Sequence, residues 1–544
     1  MGNWPKSNEI MGSVNRGTPC ESGLCEQCRT DCQGKCETFL SSFKGRRTIY
    51  SQEPTGNVIY GSDNINPIGV SYNSLRLQGK IYGVKGALDN SSDYCVSANV
   101  DVSTQFGVFK KTKCNVPILQ GPALNAVSKY WDSYAIAAAV VGYPLVIGEN
   151  AMNMDKEMVV ENGKVIKAPR IDKMIESFLK YDHGFGGIVV QVNYDDVYQE
   201  NRPTIDYICE KYGDKVLMEI KWSQGGKIIN GEVITKDLAH AKFMSQRYPV
   251  FPNPYDPAIE KIYSEGGNVR FTRQSRVPHT ALDTYEQIER EFVSLVEHIR
   301  NKGISRVLLK IGGLEMESLA IALKVASKAK IDLVTIDGSG GGTAHSPWPM
   351  MEHSGVPSIY AHSKAYEYNK ILADHGEYVA DLSFAGGLAR PDQIYKALAL
   401  GAPFCKIITL GRSIMIPGFV GSNIEGALYP ERRAKVNGAW EKLPAIVREC
   451  GNTEEEIFEG YNDFKDMIGA DMMKDIPLGA VAIWTYIDKL KVGMQQLMAG
   501  ARSFSVDSIS RKDIAAGNRE TAVEIGIPFI TEAQDDTAKQ ILLG

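Results

Sequence analysis

Eight short apolar, β-branched runs recur along the chain, and their spacing constrains the fold more than any other feature. They are "VPILQGPAL" (from Val116), "YPLVIGEN" (Tyr143), "GGIVVQVN" (Gly186), "KVLMEIKWSQGG" (Lys215), "RVLLKIGG" (Arg306), "DLVTIDGSGGG" (Asp332), "VADLSFAGG" (Val379) and "FCKIITLGRS" (Phe404). Each is of strand length and each stops at Gly, Asn, Ser or a charged residue. Most of the gaps between them hold helix-like segments, such as "EMESLAIALKVASKAK" (Glu315 to Lys330) and "RPDQIYKALAL" (Arg390 to Leu400), the latter with Pro391 near its start. Strands alternating with helices specify parallel βαβ units, and eight such units predict an α/β TIM barrel.

The longest gap, Lys227 to Ser305, contains "YPVFPNPYDP", too proline-rich for an interior strand or helix, and reads as an excursion at the active-site face. With 544 residues the chain has room for one large catalytic body and appendages. The expected division is a Cys-rich metal-binding segment (1–44), an N-terminal wrap (45–115), the barrel (116–430) and a mainly helical C-terminal extension (431–544). Up to about Lys44 the sequence lacks apolar periodicity, so a ligand is expected to order it.

Composition narrows the function. A hydrophobic share of 43%, 23% charged residues and a formal net charge of −5 describe an ordinary globular protein and give no reason to expect DNA, RNA or anionic lipid as partner. The longest apolar stretch, "YAIAAAVVGYPLVIG", is broken by Gly142 and Pro144 and falls short of the roughly 20 residues a bilayer span needs. The start, "MGNWPKSNEI", lacks the layout of a signal peptide, and a cytoplasmic location is expected.

In a TIM barrel the strand C-termini build the active site, and the last two loops commonly bind phosphate. Here "FAGG" (Phe384 to Gly387) and "LGRS" (Leu410 to Ser413) close the seventh and eighth strands, so Gly386, Gly387, Gly411 and Arg412 are candidate phosphate ligands. After the sixth strand, "DGSGGGTAHSPWP" leads into two prolines instead of opening a helix, which excludes a dinucleotide fingerprint.

These residues resemble a known family. "VIGEN", "EIKWSQGGK", "VLLKIGG", "IDGSGGGTAHSPWPMMEHSGVP" and "SFAGGLARPDQIYKALALGA", in this order over roughly Val116 to Gly426, are similar to the FMN-binding domain of glutamate synthase and its stand-alone relatives. The resemblance implies a barrel holding FMN, with Gln224, Lys310, Gly340, Gly341, Gly386, Gly387, Gly411 and Arg412 at the cofactor. It places Lys221 and Lys227 towards flavin and substrate, and Glu149 in the active site. A fixed cation such as Lys310 suits the negative charge that a reduced flavin carries near N1. His345, titrating near neutrality, is either a proton donor to the flavin face or a cap of the "SPWP" turn.

Three departures from glutamate synthase limit what the resemblance implies. No glutamine-hydrolysing domain is expected ahead of the barrel, given the start "MGNWPKSN". The family's glycine- and proline-rich loop after the lysine matching Lys227 is replaced by "IINGEVITKDL", leaving Arg276 and His279 in "SRVPHT" to bind a different anion. The cysteines that ligate an iron–sulfur cluster after the eighth strand in the family are missing from "GRSIMIPGFVGSNIEG".

Five cysteines instead crowd the other end as C-x4-C-x2-C-x3-C-x3-C, from Cys20 to Cys36. Thiolates so close together suit either an iron–sulfur cluster or structural zinc, with Cys25, Cys28, Cys32 and Cys36 as the expected metal ligands. An FMN enzyme without its own nicotinamide motif needs an electron relay, which favours the cluster. The reading is an FMN-dependent oxidoreductase passing electrons between an N-terminal iron–sulfur or other metal centre, flavin and a small polar or anionic substrate, with a ferredoxin-like or other redox subunit as electron-transfer partner. The alternatives are a ferredoxin-dependent glutamate synthase fed ammonia by a partner, and a redox-neutral FMN isomerase. Homo- and hetero-oligomers both stay open.

Overall fold

The computed structural model describes residues 37–48, 70–122, 130–193, 202–222, 230–235, 237–246, 250–274, 284–338, 354–432 and 443–544. All eight apolar runs become strands of one closed barrel: β1 (Ile118–Gln120), β2 (Pro144–Ile147), β3 (Gly187–Asn193), β4 (Val216–Lys221), β5 (Val307–Ile311), β6 (Leu333–Ile336), β7 (Asp381–Ala385) and β8 (Cys405–Leu410). Each pairs in parallel with its sequence neighbours, and β8 closes onto β1 through Ile408 to Leu410 against Ile118 to Gln120. Strands this apolar are buried on both faces, which is what a barrel ringed by helices provides.

A helix follows every strand: α1 (Trp131–Val141), α2 (Pro169–Leu179), α3 (Arg202–Tyr212), α4 (Tyr285–Asn301), α5 (Met316–Lys328), α6 (Ser358–Asp374), α7 (Pro391–Gly401) and α8 (Arg412–Leu428). Local chemistry sets their starts. Thr284 and Gln287 form a capping box for α4, the Glu315 carboxylate accepts from the Ser318 and Glu317 amides of α5, and Pro391 opens α7. The apolar stretch "YAIAAAVVGYPLVIG" divides into the end of α1, the turn at Gly142 and β2. Among the described residues no helix is long and apolar enough to cross a membrane.

All of α1 except Asp132 is buried, because a further helix, α9 (Leu478–Gly500), packs along it as well as on α8 and α7, and α2 lies beside it. The packing depends on small residues. A Cβ at Gly479 would meet the Ser133 Oγ at 2.5 Å and the Ser422 Oγ at 2.7 Å, and one at Gly421 would meet the Leu478 carbonyl at 2.5 Å. Against the other side of α9 and α8 lies the helix Glu37–Lys44, which buries Phe39 and Phe43. Lys489 Nζ donates to Glu37 Oε1 at 2.6 Å and to Ser41 Oγ at 2.8 Å, while Arg46 grips both oxygens of Asp488 at 2.5 and 2.8 Å. The last eight residues before Gly45 are therefore ordered by protein packing, where the sequence alone suggested dependence on a ligand.

The long excursion after β4 folds as a small three-stranded antiparallel sheet, Asn230–Thr235 and Val250–Phe251 flanking Val269–Gln274, with helices Leu238–Ser245 and Pro257–Ser264. The prolines do not prevent this. Val250–Phe251 is a two-residue edge strand, and Pro257 sits in the first turn of its helix, where the Asp256 carboxylate caps the Ala258 amide at 2.8 Å.

At the bottom of the barrel the hairpin Thr104–Phe106 and Thr112–Cys114 inserts Phe106 and Cys114 against Leu119, Val146, Val189, Leu217, Leu308, Leu333 and Ile407. Its turn is tied down by the Gly107 amide donating to Asp381 Oδ2 at 3.0 Å and the Val108 amide to Asp332 Oδ1 at 2.8 Å. The interior is thus sealed below by an apolar floor, and only its other end, at the strand C-termini, can carry chemistry.

Candidate active site

One inward step above that floor the barrel turns polar. Side chains along a strand alternate between faces, so residues two beyond the floor point into the same interior. Val189 leads to Gln191 and Asn193, Leu217 to Glu219 and Lys221, Leu308 to Lys310, Leu333 to Thr335 and Asp337, and Ile407 to Thr409 and Gly411. Three ion-pair and hydrogen-bond groups result. Lys221 Nζ lies 3.0 Å from Glu149 at the end of β2, and Asn193 Nδ2 donates to the same carboxylate at 3.2 Å. Lys310 Nζ lies 3.2 Å from Asp337 Oδ2, and Gln191 Nε2 donates to Glu219 Oε1 at 2.5 Å. Between Lys310 and the Ser383–Thr409 hydroxyl pair (2.7 Å) stands Thr335, whose buried Oγ1 has no hydrogen-bond partner among the described residues.

The electrostatics follow from burial. Burial works against the charge of Lys310, but the carboxylates of Asp337, Glu219 and Glu149 outweigh it and hold the lysine above its ordinary pKa, so it is a fixed cation. Burial pushes the Glu219 carboxyl up from the usual carboxylate range, an effect that Lys310, the Gln191 hydrogen bond and Lys221 offset only in part.

Beside this polar interior, the ends of β7 and β8 present bare backbone. Gly386 and Gly387 have φ of +116° and +73°, conformations that L side chains rarely adopt. A Cβ on Gly386 would press on Ser358 and the Gly338 amide, whereas Cβ atoms on Gly387 and Gly411 would meet no atom of the described residues within 4 Å. Gly411 precedes Arg412, the first residue of α8, and no side chain caps the helix there. This 17-residue helix starts on bare glycine backbone, and a helix N-terminus of that kind suits an anion.

Of the residues singled out from the sequence, the fold brings Glu149, Lys221 and Lys310 together in the mouth and sets Gly386, Gly387, Gly411 and Arg412 along its β7–β8 side. Gln224, Lys227, Arg276, His279, Gly340, Gly341, His345, Cys25, Cys28, Cys32 and Cys36 lie outside the described residues. Among the described residues no group of three or more His, Cys, Asp or Glu side chains could hold a metal ion. Gln191, Asn193, Glu219 and Asp337 were missed. The signal for Gln191, Asn193 and Glu219 was the polar residue at every second position of "VVQVN" and "LMEIK", and that for Asp337 its place two after Thr335 in "VTID", inside runs read only for their hydrophobicity.

Residues 260–417, which include β5 to β8 with Lys310, Asp337 and the glycine ends, match the family described as the conserved region in glutamate synthase. This part of the chain is glutamate synthase-like. The glutamate synthase-like stretch ends inside α8 and does not include Glu149 or Lys221. No curated protein matches the sequence. Among solved structures, a mutant flavocytochrome b2 with pyruvate bound aligns at a TM-score of 0.44 and 12% identity, covering 86% of this chain and 80% of that one. A mutant chimera of (S)-mandelate dehydrogenase aligns at 0.40 and 14%, covering 82% and 88%. A Pediococcus acidilactici (putative) lactate oxidase aligns at 0.41 and 13%, covering 84% and 88%.

Proposed function

We propose that this chain is an FMN-dependent oxidoreductase of the glutamate synthase-like kind, acting on a small polar or anionic substrate. The observation that carries the reading is the pairing, in one barrel mouth, of a buried fixed cation, Lys310, with an open glycine-lined anion cradle at the ends of β7 and β8. The donor set fits a phosphorylated, polar-edged ring. Amides at Gly387, Gly411 and the first turn of α8 suit a phosphate, Arg412 opens that turn, and Lys310 and the Thr335 hydroxyl offer donors to ring heteroatoms. Bound there, FMN supplies reversible hydride or single-electron exchange.

The protein's own share is electrostatic and positional. Lys310 stabilises negative charge at the mouth. Lys221, held by the Glu149 carboxylate, which also accepts from Asn193, presents a second oriented ammonium for a substrate carboxylate or carbonyl. The apolar floor of Phe106, Leu217 and Leu308 keeps water from entering below. For electron exchange we assign the cysteines up to Cys36 to an iron–sulfur centre and infer a ferredoxin-like or other redox partner. In support, the helix that begins at Glu37 docks on α9, whose Tyr486 hydroxyl donates to the Ala389 carbonyl two residues beyond Gly387.

The test is flavin binding to the full chain and to Gly411→Val. A Cβ at Gly411 meets no described atom within 4 Å, so the added methyls occupy the cradle, and Tm is measured alongside because the Gly411 backbone (φ −96°, ψ −104°) lies outside the regions that β-branched residues prefer. Wild-type protein is expected to bind FMN with a perturbed flavin spectrum, and the variant at least about tenfold more weakly, about 1.4 kcal/mol. Absence of FMN binding by the wild type would overturn the reading.

A further inference from the structure

Beneath the two lysines sits a carboxyl group to which the function above assigns no task. Glu219 is 1% exposed, between the apolar floor at Leu217 and the mouth at Lys221 on the same strand. On β3 its register partner is Gln191, whose Nε2 donates to Oε1. On β5 its register partner is Leu308, with Lys310 one inward step nearer the mouth. The charged groups that face it are Lys221 on its own strand, Lys310 from β5 and Asp337 beyond β6, with Glu149 behind Lys221. Both lysines already have a carboxylate on the mouth side, Asp337 for Lys310 and Glu149 for Lys221. Among the described residues, with every group ionised, the polar interior below the β7–β8 cradle holds three carboxylates against two ammoniums. A further negative charge entering it must repel the least solvated of the three carboxylates, which is Glu219.

We propose that Glu219 is a proton-storage residue, taking up one solvent proton when negative charge enters the mouth and releasing it when that charge leaves. Gln191 Nε2 can only donate, so Oε1 stays an acceptor and the proton resides on Oε2. The inference rests on FMN being the occupant. During reduction of bound FMN by an added two-electron reductant such as dithionite, two electrons and one proton go to the flavin, and a second proton goes to Glu219. Reoxidation returns both protons to solvent. Lys310 and Lys221 then see an unchanged net charge around them in the two redox states, and the cation that favours reduced flavin is not offset by a carboxylate below it.

The experiment is a spectroelectrochemical titration of FMN-loaded full-length protein across pH 7 to 8.5, with proton uptake counted independently in weak buffer. Wild type is expected to take up two protons per two electrons, and Glu219→Gln one, so that the slope of midpoint potential against pH halves while flavin stays bound. Glu219→Asp should keep the wild-type slope. Gln191→Leu, which removes the donor that favours the ionised form, should give the halved slope too, and it decides the matter if Glu219→Gln does not fold. A wild-type count of one proton, or a count of two in Gln191→Leu or in folded Glu219→Gln, overturns the inference and leaves FMN binding standing. Failure of the wild type to bind FMN removes the inference together with the function on which it rests.

Discussion

Replacing Lys310 by Met isolates the charge on which the site depends. The two side chains have similar length, so the filling of this inward position on β5 is largely retained and the electrostatic loss dominates. Lys310 Nζ and Asp337 Oδ2 are 3.2 Å apart. At an effective dielectric of about 20 their attraction is roughly 5 kcal/mol. Part of this is offset by the desolvation of the ammonium, which the variant no longer bears, and breaking a buried pair typically costs about 3–5 kcal/mol.

A loss of about 4 kcal/mol at pH 8 is therefore expected, and it should shrink in acid. Without the lysine, which holds it down, the Glu219 carboxyl, already raised by burial, moves further above its unfolded pKa. The folded variant then binds more protons than the unfolded chain, and its stability increases as pH falls, by up to about 1.4 kcal/mol per unit for each proton. Urea denaturation of both proteins at pH 8 and pH 6 measures this. Lys310→Met/Asp337→Asn, which removes the orphaned carboxylate, should recover much of the loss. A deficit below about 1 kcal/mol that is the same at both pH values would refute the assignment of Lys310 as a buried, charge-balanced cation.

Other outcomes follow from groups outside the mouth. His362, buried behind β6 and β7, stacks on Phe384 at 4.1 Å, accepts from the Tyr72 hydroxyl at Nδ1 and donates from Nε2 to the Ile336 carbonyl. Burial lowers its pKa to about 4, so its share of stability is complete above the ordinary imidazole value and is lost as pH falls from there through about 4. The unfolding free energy from urea titrations should fall over that window by up to about 1.4 kcal/mol per pH unit more in wild type than in His362→Leu, and parallel curves would contradict it. Gly479→Val forces methyls onto Ser133 and Ser422 and should cost about 1–3 kcal/mol, seen as a lower Tm. An unchanged Tm would mean that α9 is not packed as closely as described. Lys489→Met leaves the Glu37 carboxylate buried without its ammonium and should weaken docking of the helix Glu37–Lys44 by about 3–5 kcal/mol, read as rapid proteolysis before Gly45. Wild-type resistance in the variant would exclude the ion pair as the anchor.

The sequence by itself determined the barrel. Strand order, strand count and the helix after each strand are written in local periodicity, because a parallel strand must be apolar on both faces and a helix start announces itself through residues such as Pro391, Thr284 and Glu315. It also marked the glycine ends of β7 and β8, since bare backbone at those strand ends has a fixed place in this architecture. The mouth lysines were legible as charges inside apolar runs, which need a reason to be there.

What each lysine is paired with was decided only by closure of the ring. Glu149 and Lys221 are 72 residues apart and meet because β2 and β4 flank β3. Asp337 reaches Lys310 because β6 follows β5 around the ring, and Glu219 lies beneath both lysines because the inward face of β4 repeats every second residue. Tyr72 with His362, and Glu37 with Lys489, join positions 290 and 452 residues apart. A polar side chain's cost or benefit depends on which groups share its burial, and no local pattern records that; the tertiary structure alone turned two isolated lysines into a charge-balanced interior with a carboxyl group stored beneath it.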